Sequence, residues 1–206
     1  MKKNREVLTM LKEAAILFGI TLIAGLLLGF VYELTKEPIR IQKEKAIAAA
    51  CQKVFTQADD FKATEYFPTV QLKTELKERG VEIGTVFEAS SQGNLLGYVV
   101  ESTSGEGYGG DIVLYVGVTV DGKLNDISIL TISETPGLGM LAEKVLVPQY
   151  HEKKVEQFTY TKTGSTSDSE IDAISGATIT TEAVNHAVNA ALKVVGELVQ
   201  GGAMDE

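Results

Sequence analysis

The stretch Ile112-Val113-Leu114-Tyr115-Val116-Gly117-Val118-Thr119-Val120-Asp121-Gly122-Lys123-Leu124-Asn125-Asp126-Ile127-Ser128-Ile129-Leu130-Thr131-Ile132 decides the fold class. Both of its halves are rich in Val, Ile, Leu, Thr and Tyr, residues that suit a pleated and packed surface. Asp121-Gly122 between them is a strong hairpin signal, because glycine takes the positive φ that a tight turn demands. Strands joined by so short a turn must run antiparallel. Upstream, Thr85–Ala89 and Leu95–Ser102 have the same character, with Ser91-Gln92-Gly93-Asn94 as a weaker turn between them. Strands are therefore predicted at Thr85–Ala89, Leu95–Ser102, Ile112–Val120 and Leu124–Ile132.

Helical segments flank these strands. Pro38 suits the first turn of a helix running through Phe55, with Ile39, Ala46, Ile47, Ala50 and Val54 as its apolar stripe. Residues 56–80 are mixed and polar, with a helix predicted over Gln71–Arg79 and ended by Gly80. Met140 to Val147 reads as a short helix cut off by Pro148, and Thr161 to Ser169 as a polar connection. A last helix starts near Thr178, where Val184, Val188, Ala191, Leu192, Val195 and Val199 recur at helical spacing. The class is α+β, a mainly antiparallel sheet with flanking helices.

Ala14 to Tyr32 is a run of 19 residues without a charge, which as a helix spans about 28 Å, close to bilayer thickness. Lys2, Lys3, Arg5 and Lys12 would also suit a signal peptide, but Phe30-Val31-Tyr32-Glu33-Leu34 lacks the small-residue cleavage pattern. An uncleaved anchor is expected. Four basic residues precede the span, but Lys36, Arg40, Lys43 and Lys45 follow it closely, so charge alone does not orient it. The predicted division is 1–13 as N-terminal segment, 14–32 as transmembrane helix, 33–80 as helical connector and 81–206 as the soluble domain.

The net charge of −9 divides into +3 over residues 1–45 and −12 over the rest. So acidic a domain repels nucleic acid, and nucleic-acid binding is excluded. Cys51 is the only cysteine, which rules out an internal disulfide, an Fe–S cluster or a thiolate zinc cage within the chain. It lies among Ala48, Ala49 and Ala50, where it reads as a small buried hydrophobe. His151 and His186 have no metal-ligand spacing, and no metal is expected.

Asp172-Ala173-Ile174-Ser175-Gly176-Ala177-Thr178 stands directly before the last helix. The unpaired N–H groups and positive dipole end of that helix face the Ser-Gly-Ala-Thr turn and suit a phosphate. Plain capping chemistry fits the same residues. Glu134-Thr135-Pro136-Gly137-Leu138-Gly139 reads as a rigid turn at the end of a strand. Gly105-Glu106-Gly107-Tyr108-Gly109-Gly110 matches G-x-G-x-x-G literally. A strand follows it where a dinucleotide site needs a helix, so a Rossmann site is excluded.

Asp172-x-x-Ser175-Gly176-Ala177-Thr178 resembles the flavinylation motif of the FMN-binding domain family, and Glu134–Gly139 resembles the flavin-contacting loop of the same proteins. Together, in this order and behind one membrane segment, they mark the chain as resembling that family along nearly its whole length. The resemblance implies FMN joined covalently through its phosphate to Thr178 by a separate flavin transferase. Ser175, Gly176, Ala177 and Asp172 would surround the attachment, with Asp172 orienting the acceptor or forming an Asx-turn. Glu134, Thr135, Gly137, Leu138 and Gly139 would lie against the isoalloxazine ring, and Tyr108 would pack on it. Thr180 and Thr181 are rival acceptors in the same turn. Thr178 has no neighbouring base and is a passive acceptor; catalytic residues are not expected.

The nearest downstream lysine, Lys193, is about four turns along the helix. A phosphodiester carries one charge and can be held by backbone N–H groups alone, so this absence favours covalent attachment. The family, which serves Rnf-type complexes and sodium-pumping NADH:quinone reductases, implies an electron-carrying subunit acting with other membrane subunits. Ferredoxin/NAD-type electron transfer would drive sodium or proton translocation, the chain being a redox relay and enzymatic only as part of the translocase. It also implies residues 1–13 in the cytoplasm and the flavin domain outside it. The alternatives are a stand-alone membrane-anchored extracytoplasmic flavoprotein and an anchored binding module without a redox role.

Overall fold

Helix α1 runs without interruption over Lys2–Val54 in the computed structural model, which describes residues 2–202. The sequence predicts a new helix at Pro38, but Pro38 lies inside α1. Proline removes one helical hydrogen bond, yet its fixed φ is itself helical, and exposed helix on both sides carries the direction through. The most apolar window of α1 has a mean hydropathy of 2.5 and none of it is buried, so this helix is long and apolar enough to cross a membrane. The chain divides between Ala46 and Ile47 into two compact units.

In the second unit, β1 (Asp60–Thr64), β2 (Val81–Ser91), β3 (Asn94–Ser104), β4 (Ile112–Thr119) and β5 (Leu124–Thr131) form one antiparallel sheet in sequence order. β2 to β5 lie where the sequence predicts strands, and the α+β class holds. At the first hairpin Gln92 and Gly93 both have positive φ, 51° and 80°, as a primed turn needs. At the second, Gly122 (φ 79°) closes a loop between Thr119 and Lys123. The sequence does not predict β1, which precedes α2 (Val70–Glu78).

Alternation along β4 sends Ile112, Leu114, Val116 and Val118 to one face and Tyr115 to the other, and all five are buried. A strand covered on both faces explains the near-continuous apolar run. One face receives α5 (Thr178–Gly202), which lies over β3 and β4 and buries Ala183, Val184, Ala187, Val188, Ala191 and Val195. Each buried valine stabilises by roughly 1.5–3 kcal/mol. The other face receives Ala50, Cys51, Val54 and Phe55, from the end of α1 and the residue after it. A Cβ at Gly117 would meet the Val54 Cβ at 3.0 Å, so the bare glycine lets the helix sit close.

After the sheet, a 3-10 turn (Gly139–Leu141) leads into α3 (Ala142–Val145) and α4 (Val147–Tyr150). Pro148 does not end a helix as the sequence predicts. It occupies the first turn of α4, where its missing N–H removes no bond. The polar segment beyond is bracketed by two short parallel strands, β6 (Thr159–Thr161) and β7 (Glu170–Asp172). α5 clamps it from within: the Asn189 Oδ1 accepts from the Phe158 N–H at 2.7 Å, while the amides of Asn189 and Asn185 both donate to the Phe158 carbonyl.

Candidate functional site

The start of α5 is set by Gly176, whose φ of 78° turns the chain into the helix. Ala177 N–H donates to the Ile174 carbonyl at 3.0 Å. Thr181 locks the same turn, its hydroxyl accepting from Ile174 N–H at 3.1 Å and donating to the Ala177 carbonyl at 3.0 Å. The N–H groups of Thr178, Ile179 and Thr180 belong to the first helical turn and have no intrahelical acceptor. They form, with the helix dipole, a positive end without a basic side chain.

The Glu134–Gly139 loop closes against this turn. A methyl placed on Gly176 would lie 3.1 Å from Leu138 Cδ2. One placed on Gly139 would lie 2.6 Å from the Thr180 hydroxyl, so the two segments approach as closely as backbone allows. Gly137 takes the positive φ of 79° at the tip of the loop.

The glycine-rich loop between β3 and β4 forms the third wall. A Cβ on Gly109 would fall 1.9 Å from the Ser133 carbonyl oxygen. Glu134 Oε1 accepts from the Tyr108 N–H at 2.9 Å. The Glu106 carboxylate meets His186 Nδ1 at 2.9 Å, tying the far side of this loop to α5.

These three segments enclose a cavity of about 570 Å³, lined by Tyr108, Glu134, Thr135, Leu138, Gly139, Gly176, Ala177, Thr178, Ile179 and Thr180. That volume is within the usual range of roughly 300–1,000 Å³ for small-molecule and cofactor sites. Glu134 is buried, Thr178 half-buried, and Tyr108, Leu138 and Ile179 are exposed at the mouth. Thr180 and Thr181 are buried.

Of the residues singled out in sequence, Tyr108, Glu134, Thr135, Leu138, Gly139, Gly176, Ala177 and Thr178 line the cavity. Ser175, Gly137 and Asp172 do not. Ser175 and Gly137 are exposed beside it. The Asp172 carboxylate turns away: Oδ1 accepts from Ser165 N–H at 2.5 Å, and Gln149 bonds both backbone groups of Asp172. Ile179 is the lining residue that sequence reasoning missed. An exposed isoleucine in a first helical turn falls outside the buried periodicity and gives no signal.

The FMN-binding domain family matches residues 107–193, and the RnfG N-terminal region matches residues 1–54. An FMN-binding domain behind an N-terminal apolar helix is thus the class that fold and site define. The chain is 31% identical over 186 residues to the G subunit of the Na(+)-translocating ferredoxin:NAD(+) oxidoreductase complex of Acetobacterium woodii, covering 89% of this chain and 90% of that one. It is 35% identical over 175 residues to the G subunit of the proton-translocating ferredoxin:NAD(+) oxidoreductase complex of Clostridium ljungdahlii, covering 84% of each. Among solved structures it is similar to Shewanella oneidensis NqrC, with 22% identity, a TM-score of 0.46 and coverage of 59% of this chain and 60% of that one. The chain belongs to the RnfG family, the G subunits of ion-translocating oxidoreductase complexes.

Proposed function

We propose that this protein carries FMN in the cavity, esterified through its phosphate to Thr178. In this reading it relays electrons within a membrane complex that couples ferredoxin:NAD-type electron transfer to sodium or proton translocation. The observation that carries the proposal is the convergence on one cavity of the turn before α5, the Glu134–Gly139 loop and the glycine-rich loop.

The residues present fit the cofactor. The N–H groups of Thr178, Ile179 and Thr180 suit a singly charged phosphodiester, and no Lys, Arg or His lines the described cavity. Gly139 and Gly176 let the cavity's own segments pack together where a Cβ would meet Thr180, Glu134 or Leu138. Among the rival acceptors, the Thr181 hydroxyl is buried and committed to two hydrogen bonds. Thr180 is 2% exposed and packs over Gly139, whereas Thr178 opens half-buried on the cavity. Accessibility to a transferase therefore favours Thr178.

When bound, FMN supplies the electron-carrying ring, and the chain supplies its setting. Leu138, Ile179 and Tyr108 would cover the ring at the mouth of the cavity, while Glu134 holds the Tyr108 loop in place. Among the described residues no base is hydrogen-bonded to the Thr178 hydroxyl, so attachment would fall to a separate flavin transferase. The one apolar span among the described residues cannot by itself form an ion path, so translocation would belong to partner subunits. The flavin domain is assigned to the extracytoplasmic side by family resemblance.

Intact mass of the full chain from its native host, beside Thr178→Ala, tests the reading. The expected result is a gain of one FMN less one water that disappears in the variant. An unmodified mass in both overturns the proposal, and a gain that survives in the variant moves the attachment to Thr180.

A further inference from the structure

Glu134 is 8% exposed and stands on the cavity wall. One carboxylate oxygen, Oε1, accepts from the Tyr108 N–H at 2.9 Å. The other, Oε2, makes no hydrogen bond or ion pair among the described residues, and no basic side chain lines the cavity. A carboxylate is an acceptor only, and Oε2 still meets solvent through the cavity, so a ligand that covers it must offer it a donor or leave it unpaired at a cost. Tying the Tyr108 loop to this wall needs an acceptor at Oε1; an amide would serve as well and would carry no buried charge. The loop tie therefore accounts for one oxygen and leaves the second open to the cavity.

We infer that Glu134 sets the redox poise of the cofactor: Oε2 accepts a hydrogen bond from an N–H or O–H of the flavin, and the carboxylate charge holds its potential down. This rests on the cofactor reading above. An oxidised flavin offers an imide N–H on its ring and hydroxyls on its ribityl chain, both suitable donors for Oε2. Reduction would add electrons to a ring beside this carboxylate, and a ring that fills the cavity would displace the water that screens the two from each other. The oxidised form is favoured, and electrons leave more readily. Glu134 is the only acidic residue among those lining the cavity, so the effect has one source.

The test is a potentiometric titration of the flavin-loaded full chain and its Glu134→Gln variant, with flavin content checked by mass. Glutamine keeps the acceptor for Tyr108 N–H and removes the charge, so a purely structural role predicts no change. The expected result is at least a tenfold shift of the oxidised-to-reduced ratio toward the reduced form, an upward move of about 30 mV for a two-electron couple. An unchanged midpoint at full flavin content overturns the inference. If the variant does not load, reduced-minus-oxidised infrared difference spectra of the wild-type chain decide. A carboxylate band that shifts on reduction supports the inference, and its absence overturns it. Wild-type protein without flavin would instead overturn the cofactor reading itself.

Discussion

Leu138 stands against Gly176, so close that a methyl group on the glycine would lie 3.1 Å from Leu138 Cδ2. The two residues come from different segments of the chain, and their contact joins two walls of the cavity. Gly176 is also held at a φ of 78°, in the left-handed region, where a side chain costs about 1–2 kcal/mol. Gly176→Ala is therefore expected to destabilise the protein by about 1–2 kcal/mol, push Leu138 outward and reduce flavin incorporation. A thermal melt and an intact mass measure both effects. Unchanged melting and full loading would mean that the contact constrains nothing.

Gly109 is a sharper case. A Cβ there would fall 1.9 Å from a backbone oxygen, that of Ser133, which cannot swing away as a side chain can. Gly109→Ala must lift the loop and pull Tyr108 N–H from Glu134, leaving a buried carboxylate without its donor, a loss of about 1–3 kcal/mol. Gly105→Ala is the control, because its Cβ would sit 3.6 Å from its nearest neighbour, an ordinary contact. The expected order of melting temperatures is wild type and Gly105→Ala together, with Gly109→Ala well below.

What is legible in the sequence is what local chemistry decides. The β4–β5 hairpin is readable because Asp121-Gly122 fixes its turn and β4 is covered on both faces. β1 is not: Asp60-Phe61-Lys62-Ala63-Thr64 is an exposed edge strand without alternation, made a strand only by pairing with β2. Pro38 and Pro148 mislead for a shared reason, since proline's φ is helical and the rule that it ends helices concerns the lost donor. At the site, Gly176 is readable from the helix start beside it, whereas Gly139 is singled out only by the family resemblance of its loop. The placement of Asp172 is not readable, because its partner Ser165 lies across the β6–β7 connection. Asn185 and Asn189 look like polar interruptions of α5 until Phe158 is seen between them.

Glu197 near the end of α5 gives the fold an acid-sensitive joint. Burial acts to raise its carboxyl, but bonds from the Thr69 hydroxyl and Tyr66 Oη, each 2.6 Å, and from Thr69 N–H outweigh it and hold the group low. A carboxyl lowered in the folded state contributes stability that is present above its unfolded value, about 4.3, and lost as pH falls through the folded one. Glu75, lowered chiefly by its bond to Lys193, acts in the same sense. Melting temperature is expected to fall as pH drops below about 5, and Glu197→Gln to flatten part of that fall while costing about 1 kcal/mol at neutral pH. An acid limb with the same slope in the variant would remove Glu197 from this role.

Cys51 reports on the opposite face of the sheet. It is 1% exposed between α1 and the sheet, packed with Val54, Phe55, Val99 and Tyr115. Burial pushes its thiol up to about 11, with Glu101 adding in the same direction against a lowering backbone bond. The thiolate is the reactive form, so folded protein at neutral to mildly alkaline pH is expected to resist iodoacetamide, while denatured protein takes up one label per chain. The ratio of the two labelling rates measures how often the end of α1 lifts from the sheet. Rapid labelling of folded protein would mean that this helix end is not anchored by Gly117 and Phe55. The loss would fall on the face opposite α5, leaving the cavity walls and their hydrogen bonds as the independent check.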